Sequence, residues 1–148
     1  MAGKPVILVD LNVVLDVLQH RQPHYEYSAR VLDAVSREQV AGVLAAHSVT
    51  TLFYFLARYQ DNQVATTAIS RLLSSFTVAA VDDQTIRTAL AWGWRDFEDA
   101  VQMAAAMGAH ADYVITRNPR DFKTRPIPVL QPEELVALLI QEDKPGKQ

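Results

Sequence analysis

The feature that most constrains this chain is an alternation. Short apolar runs rich in β-branched residues, Val6–Asp10, Val40–Ala45, Thr77–Val81, Tyr113–Thr116 and Pro128–Leu130, are separated by longer stretches with helical spacing. Those stretches are Asn12–Gln19, Tyr25–Arg37, Val49–Tyr59, Gln63–Ser74, a segment running from Asp82-Asp83 through Leu90, Phe97–Met107 and Glu133–Ile140. A continuous apolar run too short for a helix reads as a strand buried on both faces. Such strands joined by helical crossovers make a parallel sheet covered on both sides. The expected fold is therefore α/β: a three-layer sandwich whose central parallel sheet has about five strands flanked by helices. Local chemistry agrees. His47-Ser48, Asp82-Asp83 and Asp96 are candidate helix caps, Gly108 a candidate helix end, and Pro132 stands at a favoured first helical position.

Composition removes whole classes of function. At 148 residues the chain is read as one domain, residues 1–141, with a polar tail at 142–148. It has no cysteine, which excludes disulfide scaffolds, thiolate metal sites and cysteine nucleophiles. Its longest apolar stretches, Val40–Ala46 and Met103–Ala109, have 7 residues, far below the ~18 of a membrane helix. No secretory signal opens the sequence, so a cytoplasmic protein is expected, with no membrane contact. The net charge of −3 argues against a broadly basic surface. A local basic patch exists nonetheless: Arg117, Arg120, Lys123 and Arg125 oppose only Asp121.

In a parallel sheet, ligands gather outside the carboxyl ends of the strands. At those ends stand Asp10, Asn12 and Asp16; then His47, Ser48, Thr50 and Thr51; then Thr116, Arg117, Asn118 and Asp121. Asp96, Glu98 and Asp99 open the helix before the fourth strand. Asp10 closes an apolar strand, so its carboxylate needs donors, a cation or a proton. It either caps the following helix or serves as metal ligand or nucleophile, with Asn12 placed to orient it. Asp96 fits both a cap and a site. Asp99 lies one turn into a helix whose next residues are small or apolar, on or beside the buried face, whereas Glu98 points to solvent. Two carboxylates ~4 Å apart repel by ~4 kcal/mol at an effective dielectric near 20, so clustered acids require protons or a divalent ion. Oxygen donors without cysteine, and without a histidine pair at i, i+4 in a predicted helix, favour Mg2+ or Mn2+ over zinc.

The segments Val9–Asp16 (VDLNVVLD), Asp96–Ala106 (DFEDAVQMAAA), Asp112–Phe122 (DYVITRNPRDF) and Pro128–Glu134 (PVLQPEE) together resemble the PIN domain, in order and over nearly the whole chain. That family includes the ribonuclease toxins of VapBC-type toxin–antitoxin modules. The resemblance implies an acidic pocket that binds Mg2+ or Mn2+ and hydrolyses single-stranded RNA. It assigns Asp10 as the first-strand acid with Asn12 its companion, Asp99 as the helix acid with Asp96 a possible extra, and Thr116, Asn118 and Asp121 to the T-x-N-x-x-D-F segment. In this scheme Asp10, Asp99 and Asp121 hold the metal, and Arg117 and Arg120 steer the RNA backbone. It further implies an antitoxin partner and a homodimer, to which the aromatic helix of Phe53, Tyr54, Phe55 and Tyr59 could contribute. One position departs from the pattern: Thr51 stands where the family commonly carries a glutamate, and threonine can hold a water but supplies no negative ligand. This motivates an alternative, a catalytically weak PIN-like domain that binds RNA or protein. An aspartyl phosphatase is disfavoured because Asn12 cannot donate the proton that chemistry needs, and a receiver domain has no place for the D-F-E-D helix.

Overall fold

The computed structural model describes residues 3–123 and 126–142. Among them, strands β1 (Val6–Val9), β2 (Ala41–Ala45), β3 (Phe76–Ala79), β4 (Tyr113–Ile115) and β5 (Val129–Leu130) form one parallel sheet in the order β3-β2-β1-β4-β5. Leu8 sits opposite Val43 on one side and Val114 on the other. The two-residue period of a strand then divides the side chains between two cores. Ile7, Val9, Leu44, Phe76 and Ile115 pack against α1 (Leu11–Leu18), α2 (Tyr25–Ser36), α3 (Ala46–Tyr59), α4 (Asn62–Leu72) and α7 (Pro132–Glu142). Leu8, Val43, Ala45, Ala79 and Val114 pack beneath α5 (Asp83–Trp92) and α6 (Phe97–Gly108). The three-layer α/β sandwich expected from the alternation is the observed fold.

Several boundaries move, each for a local reason. β3 begins at Phe76 and stops at Ala79, where its partner β2 stops at Ala45. The ring of Phe76 fills the space over Gly42, where a Cβ would lie 2.7 Å from both that ring and Val35. The expected His47-Ser48 cap does not form. Helix α3 starts directly off β2, with Ala45 in extended conformation at its N-cap, and His47 and Ser48 are already in the first turn. Asp61, not an interruption alone, caps α4 by accepting from the Val64 N–H. Asp82 and Thr85 form a capping box on α5, which runs on to Trp92 and ends at left-handed Gly93. Gly108 does not end α6 by a left-handed turn; it is the last helical residue, and His110 takes the positive φ. Helix α7 extends to Glu142, the first residue of the expected tail, while 143–148 and Arg125 of the basic patch lie outside the described residues.

The strand order positions the site. From β1 the chain steps to β2 and β3 on one side, and β4 and β5 occupy the other, so the direction of winding reverses between β1 and β4. The carboxyl ends of that pair flank the crevice where doubly wound sheets bind ligands. Asp10 follows β1 and Thr116 follows β4. The ladder continues through both, with the Asp10 N–H donating to Ile115 O at 2.9 Å and the Thr116 N–H to Leu130 O at 2.9 Å.

Candidate metal centre

Asp10 is the N-cap residue of α1, yet its side chain makes no capping hydrogen bond. The carboxylate is turned into the crevice and is only 5% exposed. Thr116 Oγ1 donates to its Oδ2 at 3.0 Å, and Gln102 Nε2 donates to its Oδ1 at 2.9 Å. The Thr116 hydroxyl is itself fixed, accepting from the Asn118 N–H at 3.2 Å. Burial pushes the Asp10 carboxyl above its ordinary value, and the bonds from Gln102 and then Thr116 pull it part of the way back. No cation is paired with it among the described residues.

A second layer of acids lies beside this one. Asp96 caps α6 by accepting from the Asp99 N–H at 3.0 Å, so its cap reading is observed, and the cap leaves it beside the other acids. Asp96, Asp99 and Asp121 each present an oxygen within 4.8 Å of the others. Asp121 arrives from a short 3₁₀ turn, Pro119–Asp121, that follows β4. Gln102 Nε2 also reaches Asp99 Oδ1, at 3.3 Å, so one amide joins Asp10 to the trio. The Asp99 carboxyl is pushed up to about 8, first by burial and then by the charges of Asp10, Asp96, Asp121 and Glu98. A group in that state holds a proton, or a cation in its place.

The residues present fit a hard divalent ion. Every donor in the group is a carboxylate oxygen, the donor type Mg2+ and Mn2+ take. Gln102 Oε1 is buried beside these carboxylates with no donor among the described residues, an acceptor that an ion's bound water would satisfy.

Of the residues singled out in the sequence, the fold thus brings Asp96, Asp99 and Asp121 into one group and ties Asp10 and Thr116 to it. Asn118 contributes its backbone N–H, while its side chain is exposed. Gln102 and Thr116 make the side-chain hydrogen bonds to Asp10, and Asn12 reaches it through its backbone N–H. The Thr51 hydroxyl donates back to His47 O at 3.0 Å within its own helix, as Thr50 does at 2.9 Å. Arg120 is exposed and unpaired among the described residues. Arg117 is not a free cation: its Nε lies 2.7 Å from Oδ2 of the fully buried Asp16, close enough for an ion pair although the N–H is not aligned as a hydrogen bond. Ser28 Oγ donates to the same Asp16 oxygen at 3.0 Å. Sequence reasoning missed Gln102. Its signal was present, a lone amide at i+3 from Asp99 inside an otherwise apolar helical stretch, where a buried polar group must have partners.

Comparison with known proteins gives the same fold. The chain is similar to VapBC-1 from nontypeable Haemophilus influenzae, with a TM-score of 0.68 and 14% identity over 86% of this chain and 98% of that one. It is similar to a toxin–antitoxin complex from Klebsiella pneumoniae, with a TM-score of 0.65 and 20% identity over 85% and 97%. It is also similar to VapC20 of Mycobacterium tuberculosis, described as a sarcin–ricin loop cleaving toxin, with a TM-score of 0.58 and 17% identity over 73% and 86%. No curated protein matches it in sequence. The PIN-domain family model matches residues 6–120. With more than half its length so matched, this chain belongs to the PIN-domain family.

Proposed function

We propose that this PIN domain is a divalent-metal-dependent endoribonuclease that hydrolyses phosphodiesters of single-stranded RNA, and that it is the toxin of a toxin–antitoxin pair. The observation that carries this reading is the convergence of three carboxylates within 4.8 Å, with a fourth, Asp10, joined to them through Gln102. Mutual repulsion makes such a group unfavourable unless protons or a cation neutralise it. Asp96, Asp99 and Asp121 would hold Mg2+ or Mn2+, with Asp10 completing the negative wall behind them. A bound ion supplies an activated water and stabilises charge on the phosphate oxygens. Gln102 and Thr116 fix both oxygens of Asp10, so the wall is preorganised before substrate arrives. Arg120 stands exposed on the turn that carries Asp121, placed to attract the RNA backbone.

Similarity to a toxin that cleaves the sarcin–ricin loop supports RNA as substrate, and similarity to toxin–antitoxin complexes supports an antitoxin protein as partner. A homodimer is proposed from helix α3. Its Phe53 and Phe55 pack against the core, whereas Tyr54 and Tyr59 are 63% and 64% exposed. No helix among the described residues is long and apolar enough to cross a membrane, in keeping with work in the cytoplasm. A second reading, binding of RNA or protein with weak cleavage, is favoured by Thr51, whose hydroxyl is engaged within α3 and whose position brings no acid to the group.

Titration calorimetry with Mn2+, run beside a gel assay on a single-stranded RNA, tests the proposal. We expect heat of Mn2+ binding and cleavage that stops in EDTA and returns with Mn2+. Mn2+ binding without cleavage selects the second reading; no Mn2+ heat, or cleavage that persists in EDTA, sinks the metal-dependent enzyme.

A further inference from the structure

Beside the acid group lies a cleft of about 500 Å³ lined by Arg95, Asp96, Phe97, Asp121 and Lys123. Its two walls come from distant segments, the entry to α6 and the end of the 3₁₀ turn after β4. Two buried aromatics fix their separation: Trp94, 8% exposed, meets Phe122, 2% exposed, edge to face with ring centroids 5.7 Å apart. Trp92 stacks on the other side of Trp94 at 5.4 Å. Arg95 to Phe97 therefore leave one anchored ring, and Asp121 and Lys123 flank the other.

Three side chains in this cleft lack an internal purpose. Phe97 is 44% exposed. Arg95 and Lys123 are both exposed. They share the cleft with two carboxylates, yet neither forms an ion pair among the described residues. Two unpaired cations around an exposed ring match one chemistry, a flexible polyanion that also carries flat π faces. Single-stranded nucleic acid has both, and aromatic stacking with a basic groove is how such strands are held.

We infer that this cleft is a nucleotide subsite for the strand entering the acid group: Phe97 stacks a base, and Arg95 and Lys123 hold phosphates beside it. The inference rests on the ribonuclease reading and adds to it where the strand lies. The cations also offset the repulsion that Asp96 and Asp121 exert on a phosphate.

The test is fluorescence anisotropy of the full chain with a labelled single-stranded RNA in EDTA, where no metal-dependent cleavage occurs, over a series of salt concentrations. Phe97→Ala should weaken binding about tenfold, and Phe97→Trp should retain it, since any aromatic face stacks. Arg95→Ala with Lys123→Ala should reduce the slope of log affinity against log salt by about 1.4, the value for two phosphates on a single strand. Arg30→Ala, whose guanidinium lies over Tyr27 on α2, is the control and should change neither. Circular dichroism and melting should match wild type throughout, because all three side chains are exposed. If Phe97→Ala and the double variant bind as wild type does while wild type cleaves RNA with Mn2+, the subsite is wrong and the enzyme stands. If wild type neither binds nor cleaves single-stranded RNA, both readings fall together.

Discussion

Asp10 and Asp16 make an instructive pair. They lie six positions apart, at the N-cap and in the body of the same short helix α1, and both are buried, at 5% and 0% exposure. Asp16 carries its neutralisation within the fold: the Arg117 guanidinium at 2.7 Å and the Ser28 hydroxyl at 3.0 Å. Asp10 is held by the Gln102 amide and the Thr116 hydroxyl, with help from the backbone N–H groups of Leu11 and Asn12, and pairs with no cation among the described residues. Hydrogen bonds from neutral groups offset part of the desolvation of a carboxylate but do not balance its charge. A buried acid with its own cation is architecture, in this case a clasp between α1, α2 and the segment after β4. A buried acid without one, beside three more, is left to be neutralised by a proton or by a cation from outside the chain. Burial alone therefore does not separate the two acids; the internal cation does.

Paired substitutions can break this distinction, and they carry the largest expected effects. Asp10→Asn should lower Mn2+-dependent RNA cleavage about a thousandfold, several kcal/mol of lost transition-state stabilisation. Because it removes a buried carboxylate that no cation among the described residues balances, it should leave urea-denaturation stability equal to or above wild type. Asp16→Asn should do the reverse. It leaves Arg117 largely buried without its partner and should lower stability by about 3 kcal/mol, with cleavage per folded molecule close to wild type. Urea titration and initial rates on the two variants decide the matter. A destabilised Asp10→Asn together with an inactive but stable Asp16→Asn would exchange the roles assigned here.

Gln102 sharpens the comparison from the other side, because it holds Asp10 in place of a cation. Gln102→Leu keeps the volume in α6 but removes the amide that reaches both Asp10 and Asp99. Outer residues of this kind typically matter tenfold or more to a metal site. Calorimetry should show Mn2+ binding about tenfold weaker, with helical content unchanged. Wild-type affinity in Gln102→Leu would mean that the two carboxylates are held in register by the backbone alone.

The same contrast explains what could be read from the sequence. The sandwich was legible because each strand is a short apolar run and each crossover has helical spacing, so β1 to β5 and α1 to α7 fall close to their expected places. The acids were legible as well: Asp10, Asp96, Asp99 and Asp121 stand at strand or helix ends, where the doubly wound fold gathers ligands. Pairing across long sequence separations was not legible. Arg117 looked like a free cation in a basic stretch, and nothing local announces that Asp16, far earlier in the chain, turns inward to meet it. Asn12 was singled out beside Asp10 because it is near in sequence, whereas nothing local announces that Gln102, 92 positions away, also bonds that carboxylate. The Thr51 hydroxyl found its own helix backbone, a local option open to any helical threonine.

The smallest expected effect concerns Asp99, the acid between the two regimes. In the folded chain its carboxyl titrates near 8, against an ordinary value of 3.8. Between those values the metal-free folded state binds more protons than the unfolded chain, so stability falls as pH rises through the window. Asp10, also raised, acts in the same direction. Asp82 is shifted downward by its capping bonds and matters only below its ordinary value, so it leaves this window flat. In EDTA, melting temperature should thus decline between about pH 5 and pH 8. Asp99→Asn should flatten that decline and melt about 2–5 °C above wild type near pH 8. Mn2+ should raise the wild-type melting temperature most at high pH, where the ion takes the place of the lost proton, and should act weakly on Asp99→Asn. A melting temperature that rises from pH 5 to pH 8 in EDTA would show that Asp99 is ionised and internally balanced, and would remove the need for an external cation at the centre of the group.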